Sequence, residues 1–182
     1  MVSVLTSASE WDLYWRTPDP DRKDSKWSLY TRLALMVADQ VERQGALVLA
    51  DVGCGPGAFL DRMRGIGKAN AIGFDISEVA VDSCKMRGHS AFAADATDLP
   101  IDGSLGVIAC IDTLDCLLDQ AAALSHWASL LNDDGVLILV LREGTIDGQA
   151  MRKMLNDAGL TKIEASSSAA GGQNYKIYKA GK

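Results

Sequence analysis

The sequence predicts an α/β fold: a doubly wound, Rossmann-like sheet of seven strands, mostly parallel, with an antiparallel C-terminal hairpin strand. Three observations predict it. From residue 45 onward, strand-like apolar runs alternate with helical patterns, the βαβα order of a doubly wound sheet. Runs such as LGVIACI (105–111) and GVLILVL (135–141) are apolar without alternation, as strands covered on both faces are. The last two strand candidates are joined by SSSAAGGQN, too short for a helical crossover, so they pair antiparallel.

The elements follow in order. Trp11, Tyr14 and Trp15 suit one face of a helix, with Ser9 as a possible N-cap. Pro18, Pro20 and the charged run DPDRKDSK come next. This aromatic start reads either as a tail anchored on the body or as a lid over a pocket. Residues 28–44 read as a helix: Leu29, Leu33, Met36, Val37 and Val41 form one stripe, and Gly45 stops it. Strand candidates are Ala46–Val52, Ala69–Phe74, Ala91–Ala94, Leu105–Ile111, Val136–Leu141, Leu160–Ala165 and Tyr175–Lys179. Helices start at Gly57–Ala58, after an N-cap at Ser77, near Asp119 and at Asp147. The stretch Ala165–Gly172 reads as a flexible hairpin loop. The whole chain, 1–182, reads as one domain, with 1–44 a helical and aromatic cap and 45–182 the α/β core.

Composition narrows the function classes. A net charge of −6 argues against bulk electrostatic binding of nucleic acid. No apolar run reaches the length of a bilayer span, and no basic, apolar leader opens the chain, so a cytoplasmic location is expected. Cys54, Cys84, Cys110 and Cys116 form no C-x-x-C pair and have no histidine at ligand spacing, so no metal site is expected.

The chemistry centres on LVLADVGCGPG (47–57). Gly53, Gly55 and Gly57 let the backbone turn sharply where a strand feeds a helix, and a ligand can sit against the main chain there. In an open parallel sheet, ligands bind beyond the carboxyl ends of the strands. The first four strand candidates end in Asp51, Asp75, Asp95 and Asp112. Asp75 is placed to accept both hydroxyls of a ribose, and Asp95 an exocyclic amine of a purine, with Ile76 and Ala96 flanking the base. Asp51 would repel a pyrophosphate and suits a cationic cofactor.

DVGCGPG (51–57), GFDIS (73–77), ADATDLP (94–100), GVIACIDTLD (106–115) and LNDDGVLILV (131–140) together resemble the class I S-adenosylmethionine-dependent methyltransferases. The resemblance spans roughly residues 45–180. It implies S-adenosylmethionine as cofactor and S-adenosylhomocysteine as product. Cys54 falls within the glycine turn that would surround the methionine part, with Asp51 supporting it; Asp75 would hold the ribose and Asp95 the adenine. Ile111 and Asp112 would border the sulfonium and the acceptor. The chain departs from several subfamilies. Leu114-Asp115-Cys116 stands where many members carry a Glu-His pair, and the Asn/Asp-Pro-Pro-Tyr/Phe and Pro-Cys motifs are absent. No insertion of useful length follows strand four or five.

Candidates to touch the acceptor are Asp112, Asp115, Tyr14, Trp15 and His126, with Arg142 suited to an acidic substrate group. His89 reads as surface. A small-molecule acceptor is favoured over a macromolecule, with no membrane association. Two rivals stand beside this reading. Gly53-x-Gly55-x-x-Ala58 with Asp75 also fits a nicotinamide dinucleotide oxidoreductase. A non-catalytic S-adenosylmethionine-binding or partner-binding domain needs no base and no insertion.

Overall fold

A computed structural model describes residues 5–17 and 26–182. Pro18, Pro20 and most of the charged run lie outside the described residues. Helix α1 (Ala8–Arg16) is capped by Ser7, not Ser9. Ser7 Oγ accepts from the Glu10 amide while the Glu10 carboxylate accepts from the Ser7 amide, a reciprocal box that Ser9, one residue inside the helix, has no free first-turn N–H to form.

Helix α2 (Trp27–Gln44) ends at Gly45, whose φ of 83° only glycine adopts readily. Its predicted stripe is real, but Leu29, Leu33, Ala34 and Val37 carry the burial while Met36 and Val41 are only partly covered. Burying each leucine contributes roughly 1.5–3 kcal/mol. Gln40 is buried too, and its amide donates to the Asp134 carbonyl at 2.6 Å. This helix therefore packs into the core, as its apolar stripe implies.

The sheet has seven strands in the order β3-β2-β1-β4-β5-β7-β6. They are β1 (Leu47–Val52), β2 (Ala69–Asp75), β3 (Ser90–Ala93), β4 (Leu105–Ile111), β5 (Leu131–Arg142), β6 (Lys162–Ala170) and β7 (Gln173–Gly181). The first five pair in parallel, and β7 runs antiparallel between β5 and β6. Helices α3 (Ala58–Met63), α4 (Glu78–Met86), α5 (Gln120–Leu130) and α6 (Gly148–Asp157) make the crossovers. Ser77, Asp119 and Asp147 cap α4, α5 and α6 through their side chains. Every residue of β4 is buried, as its unbroken apolar run predicts. One core layer gathers around Trp127, Leu124 and Leu137, the other around Leu29, Leu33 and Leu49.

Two boundaries differ from expectation. Ala165–Gly172 is not a flexible loop: β6 runs through Ala170, and only Gly171 and Gly172, both at positive φ, make the turn. Serines on an exposed edge strand hide the strand from an apolar reading, because pairing with β7 rather than burial holds it. Strand β5 begins at Leu131, five residues before its apolar run, with an irregularity opposite Leu105–Val107. No helix among the described residues is long and apolar enough to cross a membrane.

Candidate functional site

The parallel strands place the glycine turn, Asp75, Asp95 and Asp112 on one sheet edge, their carboxyl ends. Gly53, Gly55 and Gly57 take φ of 73°, 51° and 87°. A Cβ at Gly53 would lie 2.1 Å from Thr113 Oγ1, and one at Gly57 2.7 Å from Cys84 Sγ. The turn thus needs glycine for both conformation and space. The Gly53 and Cys54 amides both donate to the Phe74 carbonyl, at 2.7 and 3.0 Å.

Asp75 fastens this turn to the next crossover. Its Oδ2 accepts the Gly55 amide at 2.8 Å and its Oδ1 the Ser77 amide at 2.9 Å. Burial pushes its carboxyl up, and those amides partly offset the shift. Each oxygen keeps a second lone pair for a ligand. Asp51 sits at the end of β1, 2% exposed, with no hydrogen-bond partner for Oδ2 among the described residues. Burial drives its carboxyl well above the usual range, and the neighbouring Cys84 and Asp75 push the same way. A buried, unpartnered carboxylate oxygen beneath a glycine turn is satisfied by a cationic or N–H-bearing ligand. Cys54 is a buried thiol, bonded weakly to the Gly55 carbonyl.

Asp95 is exposed and follows β3 by two residues. Its Oδ1 accepts from the Thr97 amide and hydroxyl at 2.8 and 2.7 Å, an Asx turn that leaves Oδ2 outward. Ala96 is buried, and Trp127 Nε1 donates to its carbonyl at 2.7 Å. Ile76 is half-buried and Ile111 buried, on either side of the turn. His126 is built into this scaffold: its Nε2 accepts the Leu99 amide at 2.9 Å, so that nitrogen carries no proton and is already engaged. His89 is not a surface residue. Its side chain is 8% exposed, and Nε2 lies 2.7 Å from Asp61 Oδ1 on α3. Its ring also stands 3.0 Å from where a Gly57 Cβ would be, a contact across the fold that sequence position alone does not reveal.

Beyond β4, Asp112 takes a φ of 54°, uncommon for a residue with a side chain. A single 3-10 turn at Leu114–Cys116 follows. Asp112 Oδ2 is ion-paired with Lys26 and lies 3.7 Å from Arg142 Nε. Asp112 Oδ1 and Asp115 Oδ1 are both buried without hydrogen-bond partners among the described residues. Burial and Asp112 hold the Tyr175 phenol up, so it stays protonated, and the Lys26 ammonium sits 5.9 Å above its ring. Arg142, expected to await a substrate, instead faces Asp112 and stays more than half exposed.

Helix α1 crosses this edge. Asp12 Oδ1 accepts the Ser77 hydroxyl at 2.6 Å and the Val79 amide at 3.2 Å. The Trp15 ring stands 3.0 Å from where a Gly55 Cβ would be. Tyr14 packs edge-on against Trp11 and Trp15. Asp12, Lys26 and Tyr175 carried no signal in the sequence. Asp12 lies between aromatics, Lys26 in a run of charges, and Tyr175 reads as one more strand residue.

A surface groove of about 630 Å³ opens between Leu47, Lys68, Asn70, Ser104 and Asn132. Those residues start strands or precede them, so the groove lies on the opposite edge from the glycine turn. Among the described residues no group of three His, Cys, Asp or Glu side chains is placed to hold a metal ion.

Known proteins share this fold. A family model described as a methyltransferase domain matches residues 50–139. Magnesium protoporphyrin IX methyltransferase from Synechocystis PCC 6803 with bound SAM is similar in structure, with a TM-score of 0.73 and 21% identity over 97% of this chain and 93% of that one. The same protein with bound SAH superposes at 0.71, with 20% identity over 96% and 94% of the two chains. A putative methyltransferase in complex with the Haloferax volcanii Trm112 methyltransferase activator reaches 0.75, with 17% identity over 98% and 96%. No curated protein sequence matches the chain.

Proposed function

We propose that this chain is a class I S-adenosylmethionine-dependent methyltransferase and that its methyl acceptor is a small molecule. The observation that carries the acceptor class is the roof over the strand ends. Trp15 lies against Gly55 and Lys26 against Asp112, so the N-terminal segment narrows the approach to the glycine turn. No long insertion follows β4 or β5 to build a broad platform for a macromolecule. We read the chain as one domain, with α1 as the roof and the sheet as the floor.

The residues present fit the cofactor. Bound S-adenosylmethionine supplies an electrophilic methyl group on a sulfonium, which leaves as S-adenosylhomocysteine when the acceptor displaces it. In this reading Gly53, Cys54, Gly55 and Gly57 shape the turn around the methionine part. Asp51 gives its unpartnered oxygen to that end, directly or through water. Asp75 holds the ribose hydroxyls with its remaining lone pairs, and Asp95 with Ile76 and Ala96 lines the base. Ile111 and Asp112 border the reacting end. The protein's contribution is positioning and exclusion of water, which supply much of the acceleration of a direct displacement. Trp15 and Tyr14 exclude water from above.

Calorimetry tests the reading. S-adenosylmethionine or S-adenosylhomocysteine should bind in the micromolar range, on the order of −8 kcal/mol. NADH binding without S-adenosylmethionine binding would overturn it in favour of an oxidoreductase. The likeness to a chain solved with an activator protein supports a second reading, in which turnover needs a partner. Methylation of a metabolite pool by the isolated chain rejects that alternative.

A further inference from the structure

Lys26 occupies an unusual position for a lysine of the protein's own chain. Its ammonium pairs with the Asp112 carboxylate and stands 5.9 Å above the Tyr175 ring, within the range of a cation–π contact. The lysine side chain is 24% exposed and Asp112 11%. Asp112 Oδ1 and, three residues on in the 3-10 turn, Asp115 Oδ1 are buried acceptors with no donor among the described residues. Asp112 is held at a φ of 54°, backbone strain of the kind that gathers at functional sites. The Asp112 carboxylate, an aromatic face and one further acceptor oxygen on Asp115 offer a receptor for an N–H-rich cation, and the Asp112 Oδ2 end of it is filled from within.

We propose that the methyl acceptor is an aliphatic amine, and that the Lys26 ammonium stands in the place its nitrogen takes. The proposal rests on the methyltransferase reading and narrows it to a substrate class. An incoming alkylammonium displaces Lys26 from Asp112 Oδ2 and offers its other N–H groups to Asp112 Oδ1 and Asp115 Oδ1. The Lys26 backbone stays in place as the N-cap of α2, and only its side chain swings away from Asp112. The bound ammonium then loses one proton to the Asp112 carboxylate: the N–H bond breaks, an O–H bond forms, and the electron pair remains on nitrogen as the lone pair a displacement requires. Arg142, 3.7 Å from the same oxygen, limits the charge that Asp112 presents and disfavours a second cation beside the first. An anionic acceptor is the competing class, since Lys26 and Arg142 would both recruit it; it would then have to lie beside two buried carboxylates, at a desolvation cost.

The probe is n-butylamine, which reproduces the lysine stem and head, with butyrate as the matched anion. Both are titrated calorimetrically into the chain saturated with S-adenosylhomocysteine. Lys26→Ala removes the internal competitor and should tighten n-butylamine binding by about tenfold or more, the scale of one charge-assisted contact. Adding Asp112→Asn to Lys26→Ala should abolish that gain, and butyrate should bind neither protein. Unchanged or weaker n-butylamine binding by Lys26→Ala overturns the proposal. Butyrate binding to wild type that disappears in Lys26→Ala also overturns it and selects the anionic class. Lys26→Met keeps the apolar stem and replaces the alanine variant if that variant folds poorly; the same order of affinities is expected. S-adenosylhomocysteine affinity, measured in the same proteins, reports separately on the cofactor reading.

Discussion

Asp12 of α1 holds Ser77, the residue that caps α4, with its Oδ1 2.6 Å from the Ser77 hydroxyl. The same oxygen accepts the Val79 amide in the first turn of α4, and the Ser77 hydroxyl holds its carboxyl below the usual range. A second acidic cap laid over a serine cap ties the N-terminal helix to the strand-end site. It is a polar link between α1 and the crossover after β2.

Asp12→Ala should release α1 while leaving the core folded, because no residue of α1 is buried. The expected signs are a red shift of tryptophan emission, from Trp15 leaving Gly55, and faster proteolysis within the first 26 residues. The melting temperature should move little. An unchanged emission spectrum would show that α1 is held by other contacts.

Asp75→Ala removes the acceptor for the Gly55 and Ser77 amides. Leaving buried donors unmet costs about 1–3 kcal/mol. S-adenosylmethionine affinity should fall by more than about tenfold, or 1.4 kcal/mol. His126→Ala loses only the Leu99 contact and should cost about 0.5–1.5 kcal/mol of stability with cofactor affinity intact. Equal effects on binding from the two variants would place the site elsewhere.

Stability should depend on pH through Asp51. Burial raises its carboxyl in the folded chain, so between the unfolded and folded values the native state binds more protons. The stability this contributes is complete below the unfolded value and lost as pH rises through the folded one. At pH 7, Asp51→Asn should therefore raise the melting temperature of the ligand-free protein, by about 2–4 °C per kcal/mol. The difference from wild type should close as pH falls towards the ordinary carboxylate range, about 4. A gap that stays constant with pH would mean the carboxylate is not strained.

Gly53→Ala should destabilise the turn strongly. Its Cβ would meet Thr113 at 2.1 Å, and its φ of 73° is strained for alanine. Overpacking of this kind costs about 1–3 kcal/mol before the backbone penalty. Gly65→Ala is the control: nothing lies within 4 Å of its Cβ, and it should be near neutral. Thermal melts of the two variants separate the cases.

The parallel core was legible because burial on both faces writes itself as unbroken apolar runs, as in β4. The glycine turn and Asp75 were legible because strand, turn and helix are contiguous in sequence. Helix caps at Ser77, Asp119 and Asp147 were equally plain, since a cap acts within three residues of itself. The second half of strand β6, beyond Ala165, was not: its partner, not its own side chains, makes it a strand. The sequence by itself therefore determined the fold class and the strand-end position of the glycine turn, because local periodicity and short spacings encode them. Only the tertiary structure decided what surrounds Asp112. Lys26 lies 86 positions away, and Tyr175 reaches it through the antiparallel pairing of β5 and β7. Ion pairs and cation–π contacts act through space, and neither leaves a period or a spacing along the chain.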